Sequence, residues 1–229
     1  VENFYMRSIV GTGPGGFRAM KHDVMIDGCR VCRPLLEVGR DELRSYVLHR
    51  HDAVQDEHGA AWREDATNAH TDRFRAYVRH EVIPHVKERS PQLLEVLGRT
   101  MNLIADEDDM LEEMASDLVK CHMAWTEALP DRPPAYEEGG VLAPELGTRP
   151  VPLQRRAAVQ VLQAMLGPDA RVETASVDAV LAAWDEPGTP QAAPHGGYVA
   201  NIQGNLAISA NKRGVRLEPM AAFRARRRK

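Results

Sequence analysis

The run AWREDATNAHTDRFRAYVRHEVIP, residues 61–84, joins a polar loop to a helix. Trp62, Asp65, Thr67 and Asn68 fall in the loop, where an Asp or Asn side chain can accept from free backbone amides at a helix entrance or read a base edge. The helix is expected over residues 72–86 and is punctuated by Pro84, which has no amide hydrogen to donate. Within it Arg75 and Arg79 stand four apart and share a face, with Arg73 and His80 close by. Two guanidinium forks on one face suit phosphate oxygens, because planar donors match them in pairs. The same residues also fit a plainer reading, in which Asp65 pairs with Arg75 or Arg79 and pins the loop to the helix. The residues alone leave both readings open.

Upstream, Phe4, Met6, Ile9 and Val10 recur at helical spacing, and Gly11, Gly13, Gly15 and Gly16 with Pro14 end the pattern. Two short extended runs then flank Asp27-Gly28, a dipeptide that favours tight hairpins. Pro34 ends the second run. Leu43, Tyr46 and Val47 define an amphipathic helix over residues 39–50.

Downstream, Ser90-Pro91 supplies an N-cap and a first-turn proline for a long helix. Its apolar stripe is expected to be Leu94, Leu97, Met101, Ile104, Leu111, Met114 and Leu118. Prolines crowd the segment 129–150, which has the composition of a linker. Two helical patterns and a hairpin around Gly204 follow, with Tyr198, Ala200 and Ile202 alternating before it and Leu206 and Ile208 after it.

Several tempting motifs fail on context. Gly11 to Gly16 satisfies G-x-G-x-x-G, but a dinucleotide fingerprint needs a strand before and a helix after, whereas here a helix precedes and a hairpin follows. Cys29 and Cys32 match C-x-x-C, yet period two sends residues three apart to opposite faces of a strand, and Cys121 is the one other cysteine. His49 and His51 do not face one another on a helix. Asp106 to Asp109 fan around theirs, as a solvated face does. No metal site is expected. Few cysteines and no apolar run of membrane-spanning length point to a cytoplasmic protein that does not engage membranes. Residues 1–150 carry 18 Lys/Arg against 27 Asp/Glu, and residues 151–229 carry 11 against 6, so the basic part is C-terminal and ends in RARRRK.

Three ordered blocks resemble one family, the PP-loop tRNA(Ile)-lysidine synthetases. The first is ENFYMRSIVGTGPGGFRAM, where Glu2, Gly11, Gly13, Gly16 and Met20 fit the family's helix and glycine loop. The second is Arg33-Pro34-Leu35-Leu36 with the helix from Arg40. The third is Trp62, Glu64, Asp65, Thr67 and Asn68 followed by Arg75, Arg79, His80 and Pro84. The likeness covers roughly the first ninety residues, and is looser to about Arg216. It implies an ATP-dependent ligase that adenylates C2 of the wobble cytidine in a CAU-anticodon tRNA(Ile), after which the amine of free lysine displaces AMP. Magnesium would offset charge on the transferring phosphate.

The resemblance places Arg7, Gly11 and Gly13 near the nucleotide. It assigns RNA contacts to Arg33, Asp65, Asn68, Arg75, Arg79 and His80, with Arg155, Arg156 and the basic tail steering tRNA by charge. It names no catalytic residue, because no Ser-Gly-Gly-x-Asp-Ser run occurs in these 229 residues. Asn3 and Val10 stand where the family has threonine and arginine.

The expected fold is therefore α/β. Residues 1–128 would be the C-terminal portion of a Rossmann-like PP-loop domain, mostly helical here and with a long helix, in a chain that reads as the C-terminal two-thirds of such an enzyme. Residues 129–150 would be a linker, 151–215 a small helical substrate-binding domain ending in a β-hairpin, and 216–229 a basic tail. A homodimer stays open. The competing expectations are a non-catalytic tRNA-binding module and an inactive remnant.

Overall fold

Helix α1, Glu2–Val10, stops at Gly11, whose φ of 89° lies where side chains other than glycine's are disfavoured. A short 3₁₀ turn, Pro14–Phe17, returns the chain so that Phe4 and Phe17 meet with ring centroids 5.2 Å apart. In the computed structural model the described residues are 1–26, 28–50, 52, 54, 55, 57, 59–63, 73–126 and 135–228. They divide into two units, Val1–Asp108 and Asp109–Lys229. Asp65 and Asn68 lie outside the described residues.

The first unit continues with an antiparallel hairpin, β1 (Asp23–Ile26) against β2 (Cys29–Cys32), in the register Asp23↔Cys32 and Val24↔Val31. Helix α2, Arg40–Leu48, follows. The arginine-bearing segment is one helical path built of α3 (Phe74–Tyr77), a π-helical turn (Val78–Val82) and α4 (Ile83–Arg89). Pro84 explains the wide turn: its ring would strike the carbonyl of His80 and it has no hydrogen to donate there, so the ladder opens by one residue ahead of it. Helix α5, Leu93–His122, then runs for 30 residues through the division between the units.

In the first unit the buried apolar side chains among the described residues are Ala76, Val78, Leu93 and Met101. The inward stripe of α5 is led by Leu93 and includes Ala115, while Leu94 and Met114 are 44% and 45% exposed. The expected stripe was thus one residue out of phase at both ends, because Leu93-Leu94 and Met114-Ala115 each offer two apolar neighbours and packing selects one.

The second unit holds most of the apolar interior. Its sheet has the order β3-β4-β9-β8-β7, formed by Met123–Trp125, Gly140–Leu142, Gly214–Pro219, Leu206–Asn211 and Val199–Ile202, with every pairing antiparallel. One face packs on α6 (Val151–Leu166) and α7 (Thr174–Leu181) through Leu142, Val161, Leu162, Val180, Ile208, Val215 and Leu217. A two-residue pairing of β5 (Trp184–Asp185) with β6 (Ala193–Pro194) closes one edge of this core. Helix α8, Met220–Arg227, covers the other sheet face, burying Met220 and Phe223 against Ala207.

Three expectations change here. The segment 129–150 is not a linker throughout, since Gly140–Leu142 is a sheet strand and Leu146 is buried. The expected hairpin is part of a five-stranded sheet, so the unit is mixed α/β and not merely helical. The tail is also structured, with residues 214–219 in β9 and 220–227 in α8. Strands of three residues are too short to show an alternation, and β3 and β4 earn their pairing only from partners distant in sequence.

Candidate nucleic-acid interface

The two arginines on the helix after the polar loop both reach α1. Arg79 donates from Nε to Glu2 Oε1 at 2.6 Å and from Nη2 to Glu2 Oε2 at 3.1 Å, and Arg75 Nη2 donates to Asn3 Oδ1 at 2.8 Å. Glu2 and Arg79 are each about one-third exposed. The Arg79 guanidinium holds the Glu2 carboxyl below its usual range, and the carboxylate raises Arg79 in return. The spacing of four does place both guanidinium groups on one side, but that side faces the first turn of α1. The described partners of Arg75 and Arg79 are thus on α1; Asp65 lies outside the described residues.

Beside this clamp is an open cleft of about 750 Å³. Arg40, Arg44, Arg63, Arg79 and Lys87 line it against two carboxylates, Glu2 and Asp41. Trp62 forms part of the wall, with the Arg44 guanidinium 5.2 Å from its ring centroid. Excess positive charge and an aromatic face together suit a single-stranded nucleic acid, whose phosphates meet the cations while a base stacks on the ring. Arg40, Arg44, Arg63 and Lys87 were absent from the residues expected at the site. Arg40 and Arg44 carried a readable signal, since they repeat the four-residue arginine spacing of Arg75 and Arg79.

A profile of the PP-loop domain family matches residues 1–86, which include every one of these cleft cations except Lys87. A tRNA(Ile)-lysidine synthase of Geobacter sulfurreducens is 29% identical over 181 residues, covering 78% of this chain and 34% of that protein. One from Shigella flexneri is 33% identical over 121 residues, 52% of this chain and 26% of its own. One from Rhodopirellula baltica is 36% identical over 131 residues, 57% of this chain and 29% of its own. Residues 1–86 match the PP-loop domain family, and the chain is similar to tRNA(Ile)-lysidine synthases. It spans about a quarter to a third of the length of these curated relatives.

The other expected site residues are not among those that line the cleft. Arg7 is exposed at the end of α1, and Gly11 and Gly13 border open space. Beyond them the glycine loop rests on a carboxylate: a Cβ on Gly15 would lie 2.4 Å from Asp108 Oδ1, and Arg18 Nη1 donates to Asp108 Oδ2 at 2.7 Å. An acidic side chain under the loop does not fit the phosphates of ATP. Asp108 is also only 12% exposed, so the acidic run 106–109 is not uniformly solvated. Among the described residues no three His, Cys, Asp or Glu side chains come together as metal ligands.

Arg33 Nη1 donates to the Lys21 carbonyl at 3.2 Å, tying the base of the hairpin. His80 is exposed on the π-helical turn. Arg155 is exposed on α6, whereas Arg156 pairs with Glu112 at 3.1 Å. The Cys-x-x-Cys pair is exposed on β2, and Asp23 beside Cys32 pushes that thiol up, away from the reactive thiolate. No helix among the described residues is long and apolar enough to cross a membrane.

Proposed function

We propose that this chain works in tRNA modification, gripping the anticodon arm of a CAU-anticodon tRNA(Ile) for conversion of its wobble cytidine to lysidine. The observation that carries the reading is the cleft in the PP-loop region, where cations outnumber carboxylates around Trp62. In the reaction implied by kinship, ATP activates C2 of the cytidine by adenylation and the amine of free lysine displaces AMP. ATP and Mg²⁺ would supply the leaving group and its charge stabilisation. The part assigned to this chain's described residues is to bind and orient RNA. Asp65 and Asn68 belong to the same proposal, as polar residues of the loop that follows Trp62 in sequence.

A second reading, an RNA-binding module without ligase activity, is favoured by Asp108 beneath the glycine loop. One experiment tests both. The product of the complete reading frame is incubated with ATP, Mg²⁺, labelled lysine and a tRNA(Ile) transcript bearing CAU. Lysine incorporation that falls at least tenfold in the R44A/K87A variant supports the first reading. Salt-dependent tRNA binding with no incorporation supports the second, and no binding to tRNA overturns both.

A further inference from the structure

Helix α5 carries apolar side chains on two sides, and the fold buries one of them. Leu93, Met101 and Ala115 are buried on the inward side. Val96, Leu103, Met110 and Met114 stand on another side and are between 45% and 60% exposed. Their spacings of seven, seven and four residues bring all four onto one strip, because seven residues make almost two full turns and four make little more than one. At 1.5 Å per residue the strip runs for about 27 Å along the helix. It lies on α5 alone and takes no residue from any other element.

The border of the strip is acidic. By the same helical spacing Glu95, Asp106, Glu107, Glu113 and Asp117 fall on or beside it, against two cations, Arg99 and Lys120. Both cations are already engaged: Arg99 Nη2 donates to Glu95 Oε1 at 2.9 Å, and Lys120 Nζ donates to Asp117 Oδ1 at 2.9 Å. Glu113 reaches Lys120 only through its charge, at longer range than Asp117. Asp106 and Glu107 are exposed and make no hydrogen bond or ion pair with any described residue. The apolar strip is thus edged by a surplus of negative charge at Asp106, Glu107 and Glu113.

We infer that this side of α5 is a docking strip for a basic amphipathic helix of a partner protein. A helix laid along it would set its apolar residues against Val96, Leu103, Met110 and Met114 and its Lys or Arg side chains against Asp106, Glu107 and Glu113. The two methionines suit such a surface, since their unbranched side chains adapt to the neighbour they meet. A second copy of this chain is a poor occupant, because pairing two such strips sets one acidic border against another. The same carboxylates repel RNA and an anionic membrane. The inference takes nothing from the proposed function.

The test titrates the complete gene product into a labelled synthetic helix of about four heptads, with Leu at the a and d positions and Lys at e and g, and into a second peptide with Glu in place of every Lys. The lysine peptide is expected to bind saturably, to be preferred about tenfold over the glutamate peptide, and to loosen as KCl is raised. Leu103→Gln should weaken it by about tenfold, the scale of losing one apolar anchor. The Glu107→Lys/Glu113→Lys double variant should turn the preference toward the glutamate peptide. All three positions are exposed, so the variants should keep the parent melting curve; Met110→Gln repeats the apolar test if Leu103→Gln melts early. Failure of the lysine peptide to bind overturns the proposal, as does binding that neither the apolar nor the charge-reversal variant alters. A dimer seen by sedimentation without peptide, and dissociated by the apolar variant, overturns it in favour of a second copy.

Discussion

Arg79 holds Glu2 through a two-point fork, with Nε on one carboxylate oxygen at 2.6 Å and Nη2 on the other at 3.1 Å. The fork joins the first turn of α1 to a π-helical turn 77 residues later, across elements that bury few side chains of their own. A feature first read as phosphate-binding is therefore also a tether. Glu2→Gln keeps the shape and removes the charge, and is expected to cost about 1 kcal/mol after solvent screening, read from urea unfolding. The folded-state pKa of Glu2 lies below its ordinary value of 4.5, so its stabilisation is complete above that value and is lost as pH falls through the lower, folded one. Between pH 5 and 3 the variant should lose stability less steeply than wild type. Parallel curves would show that the pair contributes nothing.

Much of the first unit was legible because its signals are local. Gly11 ends α1, Gly28 stands between β1 and β2, and Arg75 and Arg79 share a side as their spacing requires. What those arginines touch was not legible, since Glu2 and Asn3 lie more than seventy residues away and no periodicity reports such a partner. The same limit explains the second unit. Strand β4 has three residues between stretches rich in proline, and its partners on β3 and β9 are what identify it. The cleft stayed hidden because the four-residue spacing of Arg40 and Arg44 on α2, though readable, does not report that Trp62 stands beside them.

Gly139 enters strand β4 with φ 72°, and a Cβ there would lie 2.1 Å from the backbone oxygen of Leu217 on β9. Backbone cannot step aside as a side-chain tip does, so Gly139→Ala meets both a disfavoured dihedral and a collision. A loss of about 2–4 kcal/mol in the second unit's unfolding is expected. A change below about 0.5 kcal/mol would mean that the strand entrance shifts freely.

Gln154 is 1% exposed and its Nε2 donates to the carbonyls of Gly147 at 2.7 Å and Arg149 at 2.6 Å. Gln154→Ala strands both acceptors at the entrance of α6 and should cost about 2–3 kcal/mol by thermal or urea unfolding. Gln154→Glu should be worse near neutrality, because a buried carboxylate would face two carbonyl oxygens. Its folded pKa would be raised, so part of the lost stability should return as pH falls. Equal stability of the two variants at neutral pH would overturn this account.

The buried apolar residues are so unevenly shared that residues 109–229, expressed alone, should give one cooperative melting transition. Residues 1–108 alone should not, since Ala76, Val78, Leu93 and Met101 are too small a core to offset the conformational entropy of a hundred residues. Circular dichroism melts of the two pieces check both statements, and a sharp transition in the first piece would refute the second.

Within the cleft, charge and stacking predict different signatures. Arg44 and Lys87 offer cations, so replacing either with alanine should weaken tRNA binding and lower the salt slope by about 0.7–0.9. Trp62→Ala removes an aromatic face and leaves the cations in place, so affinity should fall by about 1–3 kcal/mol with little change in slope. Arg44 complicates this division, since its guanidinium lies 5.2 Å from the Trp62 ring centroid and loses that neighbour in the tryptophan variant. The double variant separates the effects. If Arg44 acts only on phosphate, the two losses add; if the ring also orients Arg44, the double variant binds more tightly than the sum of the single losses predicts. A Trp62→Ala protein that binds tRNA as wild type does, at every salt concentration, would remove stacking from the cleft altogether.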